Sequence, residues 1–462
     1  MKIKKIVALV LILLLTAAGS IISHNIAVSS SIGNHQIRAK SADNFVESLG
    51  INTKFGFCPG RLCDRYPEVK TLLAELGIRY IRDIPYSESW RKRSDLYEDY
   101  GIRMLAETGR IWGEPLNSAS VSTQLDVIKS WGEMITGIIG TNEYDNPYFN
   151  SCAETEGCDP NWSEESWSKS YHQFQQKLYE EVKADRELSH LPVVMGPMAH
   201  LDNLEQLGDL SGICDRGNDH SYPGSWGKPS QESGSGGKEN VRSMDEVVSK
   251  VQQVCPGKKL WITETGYNKE SVTRRAKAKY LPRIYANYYL QGQIEKTFLY
   301  KLLSATRPET SFGIIDTNLQ PTPAYYAIKN MISLLKEANW NKNTQSWQYP
   351  DFEPSSLKFT FEGDDTDIKH LLLQKSDGTF YLLVWQEVYV YDDQTEQDLI
   401  NRDRMIDFQL DGTTIEKANK YLLYNESNPA AELSPSKTWT DLSNISLSVP
   451  DHILVLEFTL KD

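Results

Sequence analysis

The sequence has no excess of basic residues. Its 49 lysines and arginines are outnumbered by 62 aspartates and glutamates, which gives a formal net charge of -13 at pH 7. Nucleic acids and anionic membrane surfaces are bound through clusters of lysine and arginine. We therefore expect neither as a partner, and a neutral or weakly cationic partner fits this charge better.

Two signatures of bound groups are also missing. No C-x-x-C motif and no nearby pair of histidines accompanies the six cysteines, so we expect no metal site. No glycine-rich fingerprint follows the first predicted strand, which disfavours a doubly wound open sheet. We expect the protein to work without a cofactor.

Long apolar runs are absent after the first 20 residues. Within them, a basic cap at residues 1–5 precedes an apolar run at 6–15 and the small residues 17–19. This is the layout of a secretory signal, so we predict a signal peptide over residues 1–30, cleaved between Ala18 and Ser30. The alternative is an uncleaved membrane anchor, although the run is shorter than the ~20 residues that span a bilayer. We expect a secreted or extracytoplasmic protein.

Short apolar runs alternate with longer amphipathic segments from residue 51 to about residue 335, which is typical of repeated βα units. Eight runs predict strands, of which the sixth is the weakest: residues 53–57, 80–84, 103–106, 138–140, 193–196, 217–220, 260–263 and 297–302. Eight units in roughly 250 to 300 residues match a (β/α)8 barrel. We therefore predict an α/β fold with a (β/α)8, or TIM, barrel over residues 42–340.

The composition changes after a helix expected at residues 324–335. Residues 341–356 are rich in Asn, Gln, Ser and Pro, and we interpret them as a domain boundary. Seven runs of β-branched and aromatic residues follow at a spacing typical of sandwiches: 357–361, 370–374, 380–391, 405–410, 420–424, 445–449 and 453–460. We predict a smaller all-β sandwich domain at residues 350–462.

An even number of cysteines in an exported chain indicates disulfides, although the sequence alone leaves the pairing open. We favour three pairs, namely Cys58 with Cys63, Cys152 with Cys158, and Cys214 with Cys255. The first two would close short surface loops. The third would join residues that precede the neighbouring sixth and seventh strands at the bottom of the barrel.

Two glutamates each close an apolar run of the predicted barrel, Glu143 after the fourth and Glu264 after the seventh. Residues at the carboxyl ends of barrel strands point into one cleft, and strands four and seven lie across its mouth. Cleavage of a glycosidic bond needs two carboxyl groups, one to protonate the leaving oxygen and one to attack or to activate water. A lone glutamate is most often a surface charge, but this pair favours catalysis. We predict that the two carboxyl groups face each other at ~5 to 5.5 Å, the separation of retaining enzymes.

The residues around these glutamates resemble clan A of the glycoside hydrolases. The N-E after the fourth run and the T-E-T-G of the seventh are similar to the motifs at which that clan carries its acid/base and its nucleophile. Arg82, in an Arg-x-x-Pro sequence, and His220-Ser221-Tyr222 resemble second- and sixth-strand motifs of family 5. Residues 371–386 resemble the C-terminal sandwiches of family 39.

The resemblance implies that Glu143 is the acid/base and Glu264 the nucleophile of a retaining enzyme. It also implies three supporting roles: Asn142 binds the sugar 2-hydroxyl, Arg82 and Tyr222 hydrogen-bond the nucleophile, and His220 lines the substrate subsite. On physical grounds, a nearby Arg82 would lower the pKa of Glu264, while apolar walls would keep Glu143 protonated. An ordinary ion pair for Arg82 and a core position for His220 remain open.

The chain departs from the clan at two points. The frequent N-E-P is Asn142-Glu143-Tyr144 here, and the eighth run contains no tryptophan to lie under the sugar, so Tyr300 or a loop aromatic is the expected substitute. Four further aromatic residues follow strand ends, where their rings can either stack on sugars or pack in the core: Trp112, Tyr144, Tyr148 and Trp226. Of these, we predict that Trp112, Tyr144 and Trp226 bind the substrate.

The sequence therefore predicts a monomeric retaining glycoside hydrolase that acts on an extracellular poly- or oligosaccharide, with β-linked bonds implied by the clan. Two alternatives are a carbohydrate-binding protein on a catalytically inactive barrel and a cell-surface interaction protein that binds through its sandwich. The presence of both glutamates favours the enzyme.

Overall fold

The computed structural model describes residues 35–461, apart from 56–63, 87–92, 111–112, 155–157, 234–237, 269–271 and 305–311. The predicted signal peptide, Cys58, Cys63 and Trp112 lie outside the described residues. None of the helices in the described ranges is both long and apolar enough to cross a bilayer.

Eight parallel strands form the predicted barrel, which is confirmed: Leu49–Asn52, Tyr80–Asp83, Arg103–Glu107, Ile135–Ile139, Val193–Val194, Gly217–His220, Leu260–Thr265 and Ile294–Leu299. We refer to them as the first to eighth barrel strands. The fifth and sixth stand at opposite ends of the sheet order and meet through a parallel bridge between Val194 and Arg216. The ends of all eight strands therefore surround one mouth.

Helices cover the outside of the barrel, with these bounds: Tyr66–Leu76, Asp95–Tyr100, Val121–Lys129, Trp167–Ala184, Met244–Val254, Arg274–Gln291 and Pro323–Leu335. Short helices lie at Ala42–Glu47 and Pro147–Asn150. Bulky side chains fill the interior of the barrel: Tyr80, Leu105, Ile139, Val194, Trp261 and Phe298. The barrel is thus a packed core, and a substrate can only lie at its mouth.

The first and eighth strands were predicted too late in the sequence, at residues 53–57 and 297–302. The first strand ends at Asn52, because the Thr53 hydroxyl and the Phe55 N–H turn to bind the carboxylate of Asp83, at 2.5 and 2.7 Å. Its apolar pattern is interrupted by Gly50, whose missing side chain leaves room for the Phe298 ring. The eighth strand is Ile294–Leu299.

The predicted β-sandwich is also confirmed, with two sheets. One sheet has four strands, in the order His35–Arg38, Ser356–Gly363, Arg404–Leu410 and Asn444–Val449. The other has six, in the order Lys40–Ser41, Ile368–Gln374, Phe380–Gln386, Leu454–Leu460, Ile415–Leu422 and Lys437–Leu442. Strands from the start of the described chain thus extend both sheets, so the sandwich draws on residues before the predicted range 350–462.

The stretch interpreted as a boundary, residues 341–356, does not begin as a linker. Strands Asn339–Asn341 and Ser346–Gln348 pair as a hairpin. The Trp347 indole donates a hydrogen bond of 3.0 Å to the carbonyl of Gly101, which precedes the third barrel strand. The hairpin therefore packs on the barrel.

Two of the predicted disulfides are present. Cys152 is joined to Cys158, and the buried Cys214 is joined to Cys255. Both confirm the pairing favoured from the sequence. The first closes a loop that begins nine residues after Glu143.

Buried polar contacts join the sandwich to the barrel. Arg283, on the helix Arg274–Gln291, forms an ion pair of 3.0 Å with Glu387, and both side chains are buried. The other carboxylate oxygen of Glu387 accepts a 3.1 Å hydrogen bond from the backbone of Ser230, in the loop after the sixth barrel strand. The sandwich therefore holds a loop of the barrel mouth directly.

Candidate active site

Glu143 and Glu264 meet at the mouth of the barrel. Glu264 lies within the seventh strand and is 6% exposed, and Glu143 follows the end of the fourth strand by four residues. One carboxylate oxygen of each glutamate and a ring nitrogen of His220 all lie within 4.8 Å of one another. The structure thus brings together the two carboxylates and the histidine that the sequence singled out.

The backbone at Glu143 is held in an uncommon conformation. Its φ of 41° lies in the left-handed region, which non-glycine residues rarely adopt and which is frequent at functional sites. Its N–H donates to the Pro197 carbonyl at 3.0 Å, and its carbonyl accepts from the side-chain amide of the buried Asn150, also at 3.0 Å. These contacts hold the backbone from which the carboxylate projects.

Glu264 is surrounded by donors. Arg82 Nη1 forms a close ion pair with Oε1, and the Tyr222 hydroxyl donates to Oε2 at 2.7 Å. Burial alone would raise the pKa of Glu264, but the imidazole of His220 and the guanidinium of Arg82 outweigh it, so the pKa lies well below that of a free glutamate. Glu264 is therefore ionised at neutral pH, as an attacking carboxylate must be.

Arg82 is fully buried and connects several strand ends. Its Nη1 donates to Asn52 Oδ1 at 3.0 Å, and its Nη2 donates to Asn142 Oδ1 at 2.6 Å. The same Nη2 lies 2.9 Å from Glu107, which also pairs with Lys54 at 3.0 Å. Arg82 therefore orients Asn142 and Glu264 together.

The sequence patterns did not indicate Glu107, Lys54 or Asn52. Glu107 is the last residue of the third barrel strand, so the criterion that selected Glu143 and Glu264 would also have found it. The other two were hidden because the first strand was predicted several residues too late.

A chain of hydrogen bonds determines how His220 meets Glu143. Asn218 Nδ2 donates to a backbone carbonyl, so its Oδ1 accepts the Thr263 hydroxyl proton at 3.0 Å. The Thr263 oxygen has no second proton and must accept from His220 Nε2 at 3.1 Å. Because Nε2 carries its own hydrogen, one further proton is shared between His220 Nδ1 and Glu143 Oε1, which lie 2.6 Å apart. His220 is 4% exposed, so it contacts Glu143 from within the barrel.

The candidate aromatic residues differ in their exposure and contacts. Tyr144 is 1% exposed and donates to Asp159 at 2.6 Å, so its ring packs in the core and cannot stack on a sugar, which corrects that interpretation. Trp226 is partly buried in the loop after the sixth strand, where its carbonyl accepts from the Tyr389 hydroxyl. Tyr148 is 64% exposed.

Tyr300, the expected substitute for a tryptophan, lies beside the nucleophile. Its ring contacts Phe312 at 5.2 Å and Tyr222 at 6.5 Å between centroids, and Phe312 also contacts Tyr222 at 5.5 Å. These three rings form an aromatic wall next to the carboxylate of Glu264.

Among the residues that the structure describes, Glu143, His220 and Glu264 also present ligand atoms close enough to hold a metal ion. The oxygens of Glu264 already accept from Arg82 and Tyr222, and the Arg82 guanidinium would repel a cation at this position. The arrangement therefore suits acid–base and nucleophilic chemistry better than metal binding.

No family model matches the sequence, and no curated protein matches it. Solved structures do resemble it. A family 39 glycoside hydrolase from Bacteroides cellulosilyticus WH2 aligns with a TM-score of 0.56 and 16% identity over 90% of this chain and 82% of its own. A monomeric β-xylosidase from Caulobacter crescentus CB15 aligns with a TM-score of 0.56 and 13% identity over 91% and 97%.

A glucosidase from Croceicoccus marinus aligns equally widely, with a TM-score of 0.55 and 11% identity over 93% of this chain and 97% of its own. At such identities the likeness concerns the fold rather than the chemistry. The chain therefore has the fold of these three proteins, here a (β/α)8 barrel followed by a β-sandwich.

Proposed function

We propose that the protein is a retaining glycoside hydrolase that cleaves β-linked bonds of an extracellular poly- or oligosaccharide. One observation carries the proposal: Glu143 and Glu264 oppose each other at the ends of the fourth and seventh strands, with carboxylate oxygens within 4.8 Å. Nearest oxygens this close suit the ~5 to 5.5 Å separation of retaining enzymes better than the ~6.5 to 9.5 Å of inverting enzymes, which favours direct attack.

In the first step, the ionised Glu264 attacks the anomeric carbon and forms a glycosyl-enzyme ester. Arg82 and Tyr222 hold its two oxygens, which aims the carboxylate before the sugar arrives. The proton shared by Glu143 and His220 passes to the leaving oxygen. The glycosidic bond breaks as the ester bond forms.

In the second step, Glu143 takes a proton from water, and the resulting hydroxide attacks the anomeric carbon and releases Glu264. The two inversions retain the anomeric configuration. Asn142 accepts from Arg82 through its Oδ1, which leaves its amide protons for the sugar 2-hydroxyl. Tyr300 and Phe312 line the side of this subsite.

The proposed location is outside the cytoplasm. Two disulfides support this location, because disulfides persist in oxidising compartments. The predicted signal peptide agrees with this location. We propose that the protein acts as a monomer. The resemblance of the N-E and T-E-T-G motifs to clan A supports β-linked bonds as the substrate class.

Replacement of each glutamate by alanine should affect the kinetics differently, and this difference tests the proposal. The substrate is the dinitrophenyl glycoside that the wild type cleaves fastest in a screen of sugars. Glu264→Ala removes the nucleophile, so turnover should collapse for every substrate. Glu143→Ala should still release a burst of dinitrophenolate, because this leaving group needs no proton, and should then turn over slowly because water is no longer activated.

The matched control is Glu432→Ala, an exposed glutamate of the sandwich, which should behave as the wild type. A burst from Glu264→Ala together with an inert Glu143→Ala would reverse the assignment. Full activity in both variants of an active enzyme would refute the proposed mechanism.

A further inference from the structure

An ion pair between Lys54 and Glu107 lies beside the proposed catalytic centre and has no role in the proposed reaction. Lys54 Nζ lies 3.0 Å from Glu107 Oε2, and Arg82 Nη2 lies 2.9 Å from the same oxygen. Arg82 in turn binds Glu264 and donates to Asn142. One buried arginine therefore links the pair to the nucleophile and to the residue proposed for the sugar 2-hydroxyl.

The order of the barrel strands places the pair at the mouth. Lys54 follows the first strand by two residues, and Glu107 is the last residue of the third. The second strand, which carries Arg82, pairs with both of these strands. The side chains of Lys54 and Glu107 are 15% and 10% exposed, whereas that of Arg82 is 0% exposed. The pair, unlike the arginine, is therefore open to solvent at the end of the barrel where a sugar would bind.

The backbone at Lys54 is held from both sides. One carboxylate oxygen of Asp83 accepts from the Thr53 hydroxyl at 2.5 Å and from the Phe55 N–H at 2.7 Å. Between these two residues, Lys54 has a φ of 52°, in the left-handed region that non-glycine residues rarely adopt. Such conformations cost free energy and cluster at functional sites. The fold thus holds the backbone from which the Lys54 side chain projects.

The donors and acceptors of the pair suit hydroxyl groups. An ammonium group has three donors, of which Glu107 takes one, and among the described residues Glu107 is contacted at Oε2 alone. The other donors of Lys54 and the Oε1 of Glu107 can therefore bind a group that both accepts and donates, as a hydroxyl does. The pair carries no net charge, which agrees with the neutral or weakly cationic partner that the sequence predicts.

We propose that Lys54 and Glu107 bind the sugar hydroxyls that follow the 2-hydroxyl around the ring, at carbon 3 or carbon 4, and so help to select the sugar. Arg82 Nη2 binds both Asn142 and Glu107, so the oxygens of these two residues lie within a few ångströms of each other. A sugar whose 2-hydroxyl binds Asn142 can therefore present its next hydroxyls to the pair. This inference rests on the proposed function and adds residues that recognise its substrate.

Deoxy sugars provide the test, because each removes one hydroxyl. The parent is the dinitrophenyl glycoside that the wild type cleaves fastest, and it is compared with its 3-deoxy and 4-deoxy forms. Lys54→Met removes the donors and keeps an unbranched side chain. It should lower kcat/KM for the parent at least about tenfold, since a hydrogen bond to a charged group is lost. For the deoxy form that lacks the bound hydroxyl, this loss should largely disappear, which identifies carbon 3 or carbon 4.

Lys329→Met is the matched control, because it removes an ion pair of 2.8 Å with Glu75 between two outer helices. This control should leave kcat/KM unchanged for all three substrates. A loss in Lys54→Met that is equal for the parent and for both deoxy forms would overturn the inference, because a purely structural role predicts that result.

The wild type alone provides a second measurement, which holds even if Lys54→Met does not fold. After correction for spontaneous hydrolysis, at least one deoxy form should have a kcat/KM at least about tenfold below that of the parent. Equal values for all three substrates would overturn the inference and leave the glycosidase proposal intact. Failure to cleave any glycoside or polysaccharide would overturn both.

Discussion

At the scale of single residues, the charges at the barrel mouth are set by neighbours rather than by exposure. Glu264 is buried yet ionised, because Arg82 and Tyr222 bind its two oxygens. Glu143, a few ångströms away, instead shares a proton with His220. Two glutamates with different surroundings are thus suited to different tasks, one as a nucleophile and one as a proton donor.

Tyr222→Phe should show that the charge of Glu264 depends on its neighbours. The change removes one hydrogen bond to the charged form of Glu264, so the pKa of Glu264 should rise. In the proposed mechanism the ionised carboxylate attacks the sugar, so the acid limb of the kcat/KM profile should move to higher pH. Loss of a hydrogen bond to a charged group should also lower kcat/KM at neutral pH at least about tenfold. Tyr326→Phe, which alters a tyrosine on the outer helix Pro323–Leu335, is the control. If the acid limb of Tyr222→Phe lay at the same pH as that of the wild type, the hydrogen bond from Tyr222 would not set the pKa of Glu264.

The sequence predicted much of this site because polar residues that close apolar strands are easy to recognise. Glu143 and Glu264 were found in this way, and His220 was found through its resemblance to a sixth-strand motif. The hydrogen bonds that Thr263 and Asn218 form with each other and with His220 were not predicted, because a sequence does not show which side chains on neighbouring strands face each other. Tyr144 was misjudged because a position after a strand end does not reveal which way a ring points.

At the scale of elements, apolar runs located most of the barrel but failed where a strand is short, glycine-containing or polar. The first strand holds Gly50 because the Phe298 ring occupies the space that a side chain would need. The strands His35–Arg38 and Lys40–Ser41 join the sandwich through backbone pairing, and their sequences carry no apolar run. Alternation of residue types cannot predict such pairing across more than 300 residues.

Gly50→Ala should therefore destabilise the barrel. An added methyl group would overlap the fully buried Phe298, whose ring is held by the packed interior. Overpacking of this kind costs about 1–3 kcal/mol, which urea unfolding would report as a lower midpoint at an unchanged slope. Gly212→Ala is the matched control, because its new methyl group would meet nothing within 4 Å. Equal midpoints for the two variants would refute this account of the first strand.

At the scale of the whole molecule, the barrel and the sandwich are linked by buried charges. Burial would raise the pKa of Glu387, but Arg283 and Lys369 outweigh it and lower the pKa to about 2. Asp451 pairs with Lys279 at 2.7 Å in the same interface. Because Glu387 also binds the backbone of Ser230, the interface extends to the loop that follows Tyr222.

These charges should make stability depend on pH. A carboxylate with a depressed pKa stabilises the folded state above its unfolded pKa of ~4.3, and this contribution is lost as the pH falls towards about 2. Thermal unfolding between pH 6 and pH 2.5, measured with Glu387→Gln and with the exposed control Glu432→Gln, would test this. Glu387→Gln should unfold at a lower temperature than the control at pH 6, because it leaves Arg283 buried without its partner. Its unfolding temperature should also fall less than that of the control between pH 6 and pH 2.5. If the pH dependence of Glu387→Gln equalled that of the control, the charge of Glu387 would not contribute to the pH dependence of stability.

Mass mapping of a trapped intermediate can show whether Glu264 forms a covalent bond to the sugar. A dinitrophenyl 2-deoxy-2-fluoro derivative of the preferred sugar slows both steps, because fluorine destabilises the oxocarbenium-like transition state, while its leaving group restores the first step. We expect one label per protein molecule, on the peptide that contains Glu264, and no label in Glu264→Ala. A label on Glu143, or rapid turnover of the natural substrate with inversion at the anomeric carbon, would contradict the proposed mechanism.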